Sequence, residues 1–207
     1  MSQWTGYPLV VGITGASGAL YAARFLRFLA AIDHPCLVTL TQAGEKVAGV
    51  ELGWELGNPA PALDEEALRS YATRPGWLGL RYVPRDDFRA PILSGSFRTS
   101  GMVVIPCSMA TLSGIASSRA ADVLERAADV TIKEGRPLVL VPRETPLSAL
   151  HLENMLKLAR IGVKILPAMP ALYHKPQTIE DLADFVAGRV ADVLGLDHNL
   201  YERWEGG

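Results

Sequence analysis

The sequence has little of what marks several common protein classes. Lysine and arginine form no runs, and the formal net charge over 207 residues is −2, which argues against nucleic acid as a partner. No apolar stretch approaches the roughly 18 residues of a membrane span. Residues 1–8 lack the basic and apolar regions of a signal peptide. We therefore expect a cytoplasmic protein that makes no use of a membrane.

Residues that form disulfides or bind metals are also scarce. The chain has two cysteines, Cys36 and Cys107, and each lies in an apolar run typical of a strand. Buried free thiols in a reducing compartment are favoured over a disulfide, and nothing in the spacing supports a metal site. His151 and His174 are interpreted as ordinary polar residues rather than as acid–base catalysts.

Apolar residues, in contrast, are plentiful and regularly spaced. They make up 49% of the chain against 20% charged residues, which fits one domain over residues 1–207, with some apolar surface buried between subunits. Strand-like and helix-like patterns alternate, as is typical of a parallel sheet covered on both faces. We predict an α/β fold, a three-layer doubly wound parallel sheet of the Rossmann-like type.

The spacing of apolar residues places the elements. It predicts strands at 9–13, 35–41, 102–107, 138–141 and 163–166, and helices after residue 18, near 43–49, ending near 135, at 148–161 and at 179–194. Residues 53–100 indicate a long irregular connection with one helix at 63–72. The inward faces are expected to carry Tyr21, Phe25, Phe28, Leu29 and Ile32 in the first helix and Leu182, Phe185, Val186, Val190 and Val193 in the last.

The segment Gly12–Gly18 contains three glycines between the first predicted strand and helix. Glycines there let backbone N–H groups approach a phosphate, and the helix N-terminus adds favourable partial charge. NAD(P) is disfavoured because the second strand ends at Thr41 without an acidic residue for a ribose. In addition, no tyrosine is followed four positions later by lysine, the pair that short-chain dehydrogenases use. FMN needs neither feature and fits better.

Charged residues follow in the second half of the chain. Arg143 and Glu144 come at the carboxyl end of the fourth predicted strand, the edge where open α/β sheets bind ligands. Arg126 and Lys133 lie seven residues apart, hence on one helix face. Arg189 interrupts the apolar stripe of the last helix and is a candidate to meet an anion. On the residues alone, a surface ion pair and a solvated helix face remain open as alternatives.

Taken together and in order, these segments resemble the flavin prenyltransferases of the UbiX type. No single motif is specific, but the ordered combination is. It runs from about residue 9 to 204 and comprises Thr14–Ala19, Ser94–Ser96, Pro106–Leu112, Glu125–Val130, Lys133–Glu134, Val141–Glu144, His151–Leu156, and Tyr173 with Pro176.

The resemblance implies a reaction and a site. Reduced FMN is joined at N5 and C6 to a dimethylallyl group from dimethylallyl monophosphate without a metal, and the prenylated FMN serves a UbiD-type decarboxylase. The FMN-binding residues implied are Gly15, Ala16, Ser17, Thr41, Ser108, Met109, Ala110, Thr111 and Arg143. Those implied for the donor are Ser94, Arg126, Lys133, Glu144, Tyr173, Arg189 and Trp204. Catalytic roles fall to Glu144, Lys133, Arg126 and Ser17, and the assembly implied is a homododecamer with shared active sites.

Some positions depart from the family pattern, and two other functions were weighed. Ser118 and Asp122 replace a common glycine and asparagine, Thr41 replaces a usual serine, and Phe88 stands where some members carry tryptophan. An FMN-dependent cysteine decarboxylase is disfavoured because residues 106–112 contain no asparagine. A non-catalytic flavin-binding subunit of an aromatic acid decarboxylase would not need a second phosphate site. The downstream pathway (ubiquinone biosynthesis or aromatic acid breakdown) and the choice between a monophosphate and a pyrophosphate donor stay open.

Overall fold

The computed structural model describes residues 6–54, 79–204 and 206. Its strands are β1 Leu9–Ile13, β2 Cys36–Leu40, β3 Leu80–Tyr82, β4 Gly101–Cys107, β5 Leu138–Pro142 and β6 Lys164–Ile165. They form one sheet in the order β3-β2-β1-β4-β5-β6, and all its pairings are parallel. The helices are α1 Ala19–Ala31, α2 Gln42–Leu52, α3 Met109–Ala116, α4 Val123–Lys133, α5 Ala149–Arg160 and α6 Ile179–Leu194, with a short 3-10 helix at Pro91–Leu93.

The side chains of β1 show why helices cover both faces of this sheet. Successive strand residues point to opposite faces, and all five residues of β1 are buried. Val11 and Ile13 belong to one core cluster, to which α1, α2 and α6 contribute, whereas Val10 belongs to a second one with α3, α4 and α5. The predicted three-layer α/β architecture is therefore confirmed.

Several element boundaries match their prediction closely. Strand β1 and helix α6 begin and end where the apolar spacing placed them. Strand β3 was not predicted, because it has three residues, pairs only with β2 at the sheet edge and lies within the stretch interpreted as irregular. The helix expected at 63–72 falls outside the described residues.

The segment expected as one helix ending near residue 135 is instead two helices, α3 and α4. Between them Ser118 and Ala120 adopt positive φ angles of 51° and 49°, which a continuous helix does not allow. Asp122 then caps α4, since its carboxylate accepts a hydrogen bond of 2.8 Å from the backbone N–H of Glu125. A cap of this kind starts a new helix.

The predicted inward faces of the first and last helices are right except at their ends. Phe25 and Leu29 of α1 and Val190 of α6 are buried, as expected. Ile32 and Val193 are exposed by 41% and 37%, so the prediction that they face inward is wrong. Ile32 lies just beyond α1 and Val193 in the last turn of α6, where the helix has passed the edge of the core.

Helix α5 has an apolar surface that the described part of the chain leaves exposed. Leu158 is its buried residue, while Leu150, Leu152 and Leu156 are more than half exposed. Met169 and Leu172, beyond β6, are also largely exposed. Several exposed large apolar side chains on one helix are a feature of interaction surfaces in globular proteins.

The connection from β3 to β4 crosses the sheet, because β1 separates β4 from β2. The carboxyl ends of β1 and β4 thus form a point where the winding direction reverses, and open α/β sheets bind ligands in the crevice at such a point. The loops after β1, β2, β4 and β5 all lie at this edge.

Candidate active site

Thr14 ties together the two loops that flank the reversal point. Its hydroxyl donates a hydrogen bond of 2.8 Å to the carbonyl oxygen of Pro106, near the end of β4, and accepts one of 2.7 Å from the backbone N–H of Ser108, which follows β4. The side chain is 1% exposed. Thr14 therefore fixes the loop geometry rather than offering its hydroxyl to a ligand.

Two further helices begin at this edge with hydroxyl caps. Thr41 caps α2 by accepting a 3.0 Å hydrogen bond from the N–H of Gly44. Ser108 caps α3, accepting from the N–H of Thr111 and donating to the Thr111 hydroxyl. Helix N-termini carry partial positive charge and unpaired N–H groups, which favour phosphate. The structure thus brings the predicted residues of 108–111 and Thr41 to one edge.

The glycine turn itself needs its small residues. A Cβ atom at Gly15 would lie 2.4 Å from the Cβ of Ala43, and Gly18 has a φ angle of 111°, in the left-handed region. Arg143 reaches across from the end of β5, because its Nε donates a 2.8 Å hydrogen bond to the carbonyl oxygen of Ser17. The structure therefore brings Arg143 to the glycine turn, beside Ser17.

Glu51, which the sequence analysis did not single out, lies at the same turn. Its carboxylate accepts hydrogen bonds of 2.9 and 2.8 Å from the backbone N–H groups of Gly18 and Ala19, at the N-terminus of α1. Burial raises the pKa of this carboxyl, whereas hydrogen bonds from Ser17, Gly18 and Ala19 and the charge of Arg143 lower it. The lowering effects are the larger together, so the pKa lies below its ordinary value. This helix N-terminus thus already holds an anion, and the caps at Thr41 and Ser108 are the better phosphate positions.

The loop that carries Ser94 comes close to Lys133 at a second place. A Cβ atom at Gly95 would lie 2.8 Å from Nζ of Lys133, so the loop carrying Ser94 passes directly beside that ammonium group. Nζ also donates a 2.7 Å hydrogen bond to Glu134. Arg136, which the sequence did not indicate as a site residue, fixes this loop. Its guanidinium donates hydrogen bonds of 2.6 and 2.8 Å to the carbonyl oxygens of Gly95 and Phe97.

Tyr173 and Trp204 meet at a third place, in an aromatic cluster that also contains His174, Phe185 and Tyr201. The ring centroids of Tyr173 and Trp204 are 5.7 Å apart, and the rings meet edge to face. Arg189 lies on α6 beside this cluster and donates a 2.7 Å hydrogen bond to Asp192. Tyr173 and Trp204, both predicted to bind the donor, thus contact each other within one chain.

The cations expected around the donor phosphate are each bonded to a carboxylate close in sequence. Arg126 pairs with Asp129 at 2.8 Å, as Lys133 does with Glu134 and Arg189 with Asp192. Glu144 is exposed and accepts a hydrogen bond from its neighbour, the N–H of Thr145. Over residues 6–54 and 79–204, no ion pair joins Glu144 to Arg126 or Lys133, so the described part of the chain does not assemble the predicted charge cluster.

The remaining cysteine and histidine residues form no further site. Cys36 and Cys107 are free and buried, and burial raises the pKa of both thiols, which keeps them protonated. In the part of the chain that the structure describes, no three His, Cys, Asp or Glu side chains gather as metal ligands. Nor is any described helix long and apolar enough to cross a membrane.

Comparisons with known proteins identify the family. The Flavoprotein family model matches residues 2–191. A flavin prenyltransferase UbiX from Halalkalibacterium halodurans is 47% identical over 194 residues, which cover 94% of this chain and 91% of the relative. The chain belongs to the UbiX flavin prenyltransferases. The predicted family and enzyme class, a prenyltransferase, are thereby confirmed.

Two solved structures of UbiX proteins have the same fold. AnUbiX, crystallised in complex with FMN and dimethylallyl pyrophosphate, is 39% identical, with a TM-score of 0.83 over 97% of this chain and 98% of its own. A dodecameric FMN-dependent UbiX-like decarboxylase from Escherichia coli O157:H7 is 41% identical, with a TM-score of 0.82 over 96% of this chain and 100% of its own.

Proposed function

We propose that this protein joins the dimethylallyl group of dimethylallyl monophosphate to N5 and C6 of reduced FMN and releases prenylated FMN. The observation that carries the proposal is the presence of two kinds of polar site in one chain of this family. The capped helix starts suit a flavin phosphate, while the cations and aromatic rings elsewhere suit an allylic phosphate. Flavin binding alone would need only the first.

The flavin half of the site lies at the reversal point. We assign the FMN phosphate to the hydroxyl caps Thr41 and Ser108, since Glu51 already occupies the N-terminus of α1. The other flavin contacts that we propose are Gly15, Ala16, Ser17, Met109, Ala110, Thr111 and Arg143. Reduced flavin supplies the nucleophilic atoms of the reaction, and the chain supplies the cradle that orients them.

The donor half has to stabilise a leaving phosphate and an allylic cation. Lysine has three N–H donors and arginine five, so Lys133, Arg126 and Arg189 can each bind phosphate while keeping their own carboxylate. Tyr173 and Trp204 present aromatic faces, which attract a cation. Cations at a departing phosphate lower the barrier to its departure. Ser94, beside Lys133, adds a hydroxyl donor.

We propose that the active site is completed between subunits of a homododecamer. Glu144 is exposed and is not joined to Arg126 or Lys133 within its own chain, although all three are assigned to one donor site. The uncovered apolar face of α5 begins only a few residues beyond Glu144. A neighbouring subunit packed on that face would bring the cations of one chain to the Glu144 of another.

Glu144 and Ser17 are assigned to proton movement. A carboxylate near the donor phosphate can accept a proton when the second bond to the flavin forms. We further propose that residues 1–207 form one flavoprotein domain acting in the cytoplasm, and that a UbiD-type decarboxylase receives the product. Two free thiols agree with a reducing compartment.

The experiment that tests the proposed function measures inorganic phosphate released from dimethylallyl monophosphate under anaerobic conditions. Release should require the protein and reduced FMN together, with oxidised FMN as the matched control, because only the reduced ring is nucleophilic at N5. Phosphate release that is the same with oxidised FMN would show a phosphatase instead. No release with either flavin would leave a flavin-binding protein and contradict the proposal.

A further inference from the structure

Asp192, in the last turns of α6, is bonded by four donors at once. Its Oδ2 accepts hydrogen bonds from Nη1 of Arg189 at 2.7 Å and from the hydroxyl of Tyr201 at 2.6 Å. Its Oδ1 accepts from Nη2 of Arg203 at 2.8 Å and from Nε2 of His198 at 3.1 Å. A carboxylate offers about four acceptor positions, so this one is fully used. Three of the four donors belong to the C-terminal segment 198–204.

His198 is held from two sides. The backbone N–H of Leu200 donates a 3.2 Å hydrogen bond to its Nδ1, and its Nε2 lies 3.1 Å from Oδ1 of Asp192 and 3.3 Å from Nη2 of Arg203. The imidazole ring is 1% exposed, and its edge meets Phe28 of α1. The start of the C-terminal segment is thus anchored to α6 and α1 by specific contacts.

Gly188 lies four residues before Asp192, on the same face of α6. A Cβ atom there would lie 2.6 Å from the ring of Tyr201 and 2.8 Å from the ring of His198. Both rings therefore rest directly on the backbone of the helix, which only glycine permits. Gly188 and Asp192 together form a seat that is shaped for residues 198–201.

The charge on this carboxylate is held firmly. Burial raises the pKa of Asp192, but the hydrogen bonds from Tyr201, Arg203 and His198 outweigh it and hold the pKa far below the ordinary range. The carboxyl is accordingly ionised at neutral pH. Charged acceptors make stronger hydrogen bonds than neutral ones, so the seat binds the segment more tightly than an amide would.

We propose that Asp192 is a positioning residue for the donor site. Through Tyr201, His198 and Arg203 it fixes the C-terminal segment so that Trp204 rests against Tyr173, and through its bond to Arg189 it orients that guanidinium. The inference rests on the proposed function, because Tyr173, Arg189 and Trp204 are assigned to the donor there. Asp192 itself is assigned no contact with flavin or donor.

Asp192→Asn keeps the shape of the side chain, removes the charge and turns one acceptor oxygen into an NH₂ group that faces two donors. The KM for dimethylallyl monophosphate should rise about tenfold or more, because one charge-assisted hydrogen bond is lost. The kcat should change less, and the affinity for FMN should stay the same. Gly188→Ala should raise the same KM, although it leaves the carboxylate intact. Asp184→Asn is the matched control, since this α6 carboxylate is bonded by Arg24 of α1 rather than by the C-terminal segment.

The local motion of Trp204 gives a readout that does not depend on activity. Its fluorescence anisotropy decay is obtained as the difference between each protein and the same protein carrying Trp204→Phe. Asp192→Asn and Gly188→Ala should add a fast component to that decay, and Asp184→Asn should not. An unchanged decay and KM in Asp192→Asn would overturn the inference, as would a loss of FMN affinity equal to the loss of donor affinity. The proposed function and the role of Asp192 are tested by different measurements. Absence of product from the unaltered protein contradicts the function, whereas the anisotropy decay of Trp204 still tests whether Asp192 fixes the C-terminal segment.

Discussion

Arg136 offers the sharpest test of how the donor half of the site is built. It is 8% exposed, and its guanidinium donates to the carbonyl oxygens of Gly95 and Phe97 and, at 3.3 Å, to the hydroxyl of Thr99. Arg136→Met keeps much of the stem and removes every donor. Two partly buried carbonyls then lose a charged donor, at about 1–3 kcal/mol each, so the free energy of unfolding should fall by about 2–6 kcal/mol.

This loss is large against a typical total of about 5–15 kcal/mol. For a chain of this length, each kcal/mol lowers the melting temperature by about 2–4 °C, which predicts a fall of at least about 4 °C. The assay is thermal unfolding at fixed protein concentration, with Arg136→Lys as a control that can keep one of the bonds and should lose less. A melting temperature within about 2 °C of the parent would refute the reasoning.

The same variant should also affect function, because the loop that Arg136 holds carries Ser94 past Lys133. At a temperature where the variant is folded, we expect a higher KM for dimethylallyl monophosphate and an unchanged dissociation constant for FMN. A parallel loss of both would mean that the loop supports the flavin as well, against the assignment made here.

Three further outcomes are expected. Lys133→Ala and Arg189→Ala should each lose about 1.5–3 kcal/mol of donor binding, or about tenfold or more, while equilibrium titration shows FMN still bound; flavin loss from both would place them in the wrong half. Glu144→Gln should slow product formation by roughly 10²–10⁴ with both substrates still bound, and a parent rate would reduce Glu144 to an ion-pair partner. Glu125 is 3% exposed, and burial raises the pKa of its carboxyl. The hydrogen bonds from Arg119 and from a backbone N–H lower that pKa by more than burial raises it. Its folded pKa thus lies below the unfolded value, so urea titrations should show Glu125→Gln less stable than the parent at neutral pH, with the difference shrinking as the pH falls below about 4; a difference independent of pH would contradict this.

The parts of the fold that were predictable are those whose signal is local. Strand β1 is an apolar run that is buried on both sides, and α6 has a long apolar stripe that starts at a Thr178 cap. In contrast, β3 is a strand only because β2 offers it an edge to pair with, and its own three residues carry no periodic signal. The break between α3 and α4 had a signal that was overlooked, the Asp122 cap three residues before Glu125.

The site divides in the same way. Ser108 and Arg143 could be singled out because each follows a strand directly, which is a local feature, whereas Thr41 was assigned to FMN through the family resemblance. Glu51 was missed because it meets Gly18 from 33 residues away, through the packing of α2 beside α1. No spacing within the sequence reports such a contact. The pairing of Arg189 with Asp192, one helical turn apart, was within reach of the i, i+3 rule.

The most direct test of the central claim is the mass of the flavin after reaction. The protein is incubated without oxygen with reduced FMN and dimethylallyl monophosphate, and the flavin is recovered and analysed by mass spectrometry. Our account predicts that the parent protein forms a flavin heavier than FMN by one isoprene unit. The amount of this product should be much lower with a variant that carries both Lys133→Ala and Arg189→Ala. Recovery of unchanged FMN together with intact donor would contradict it.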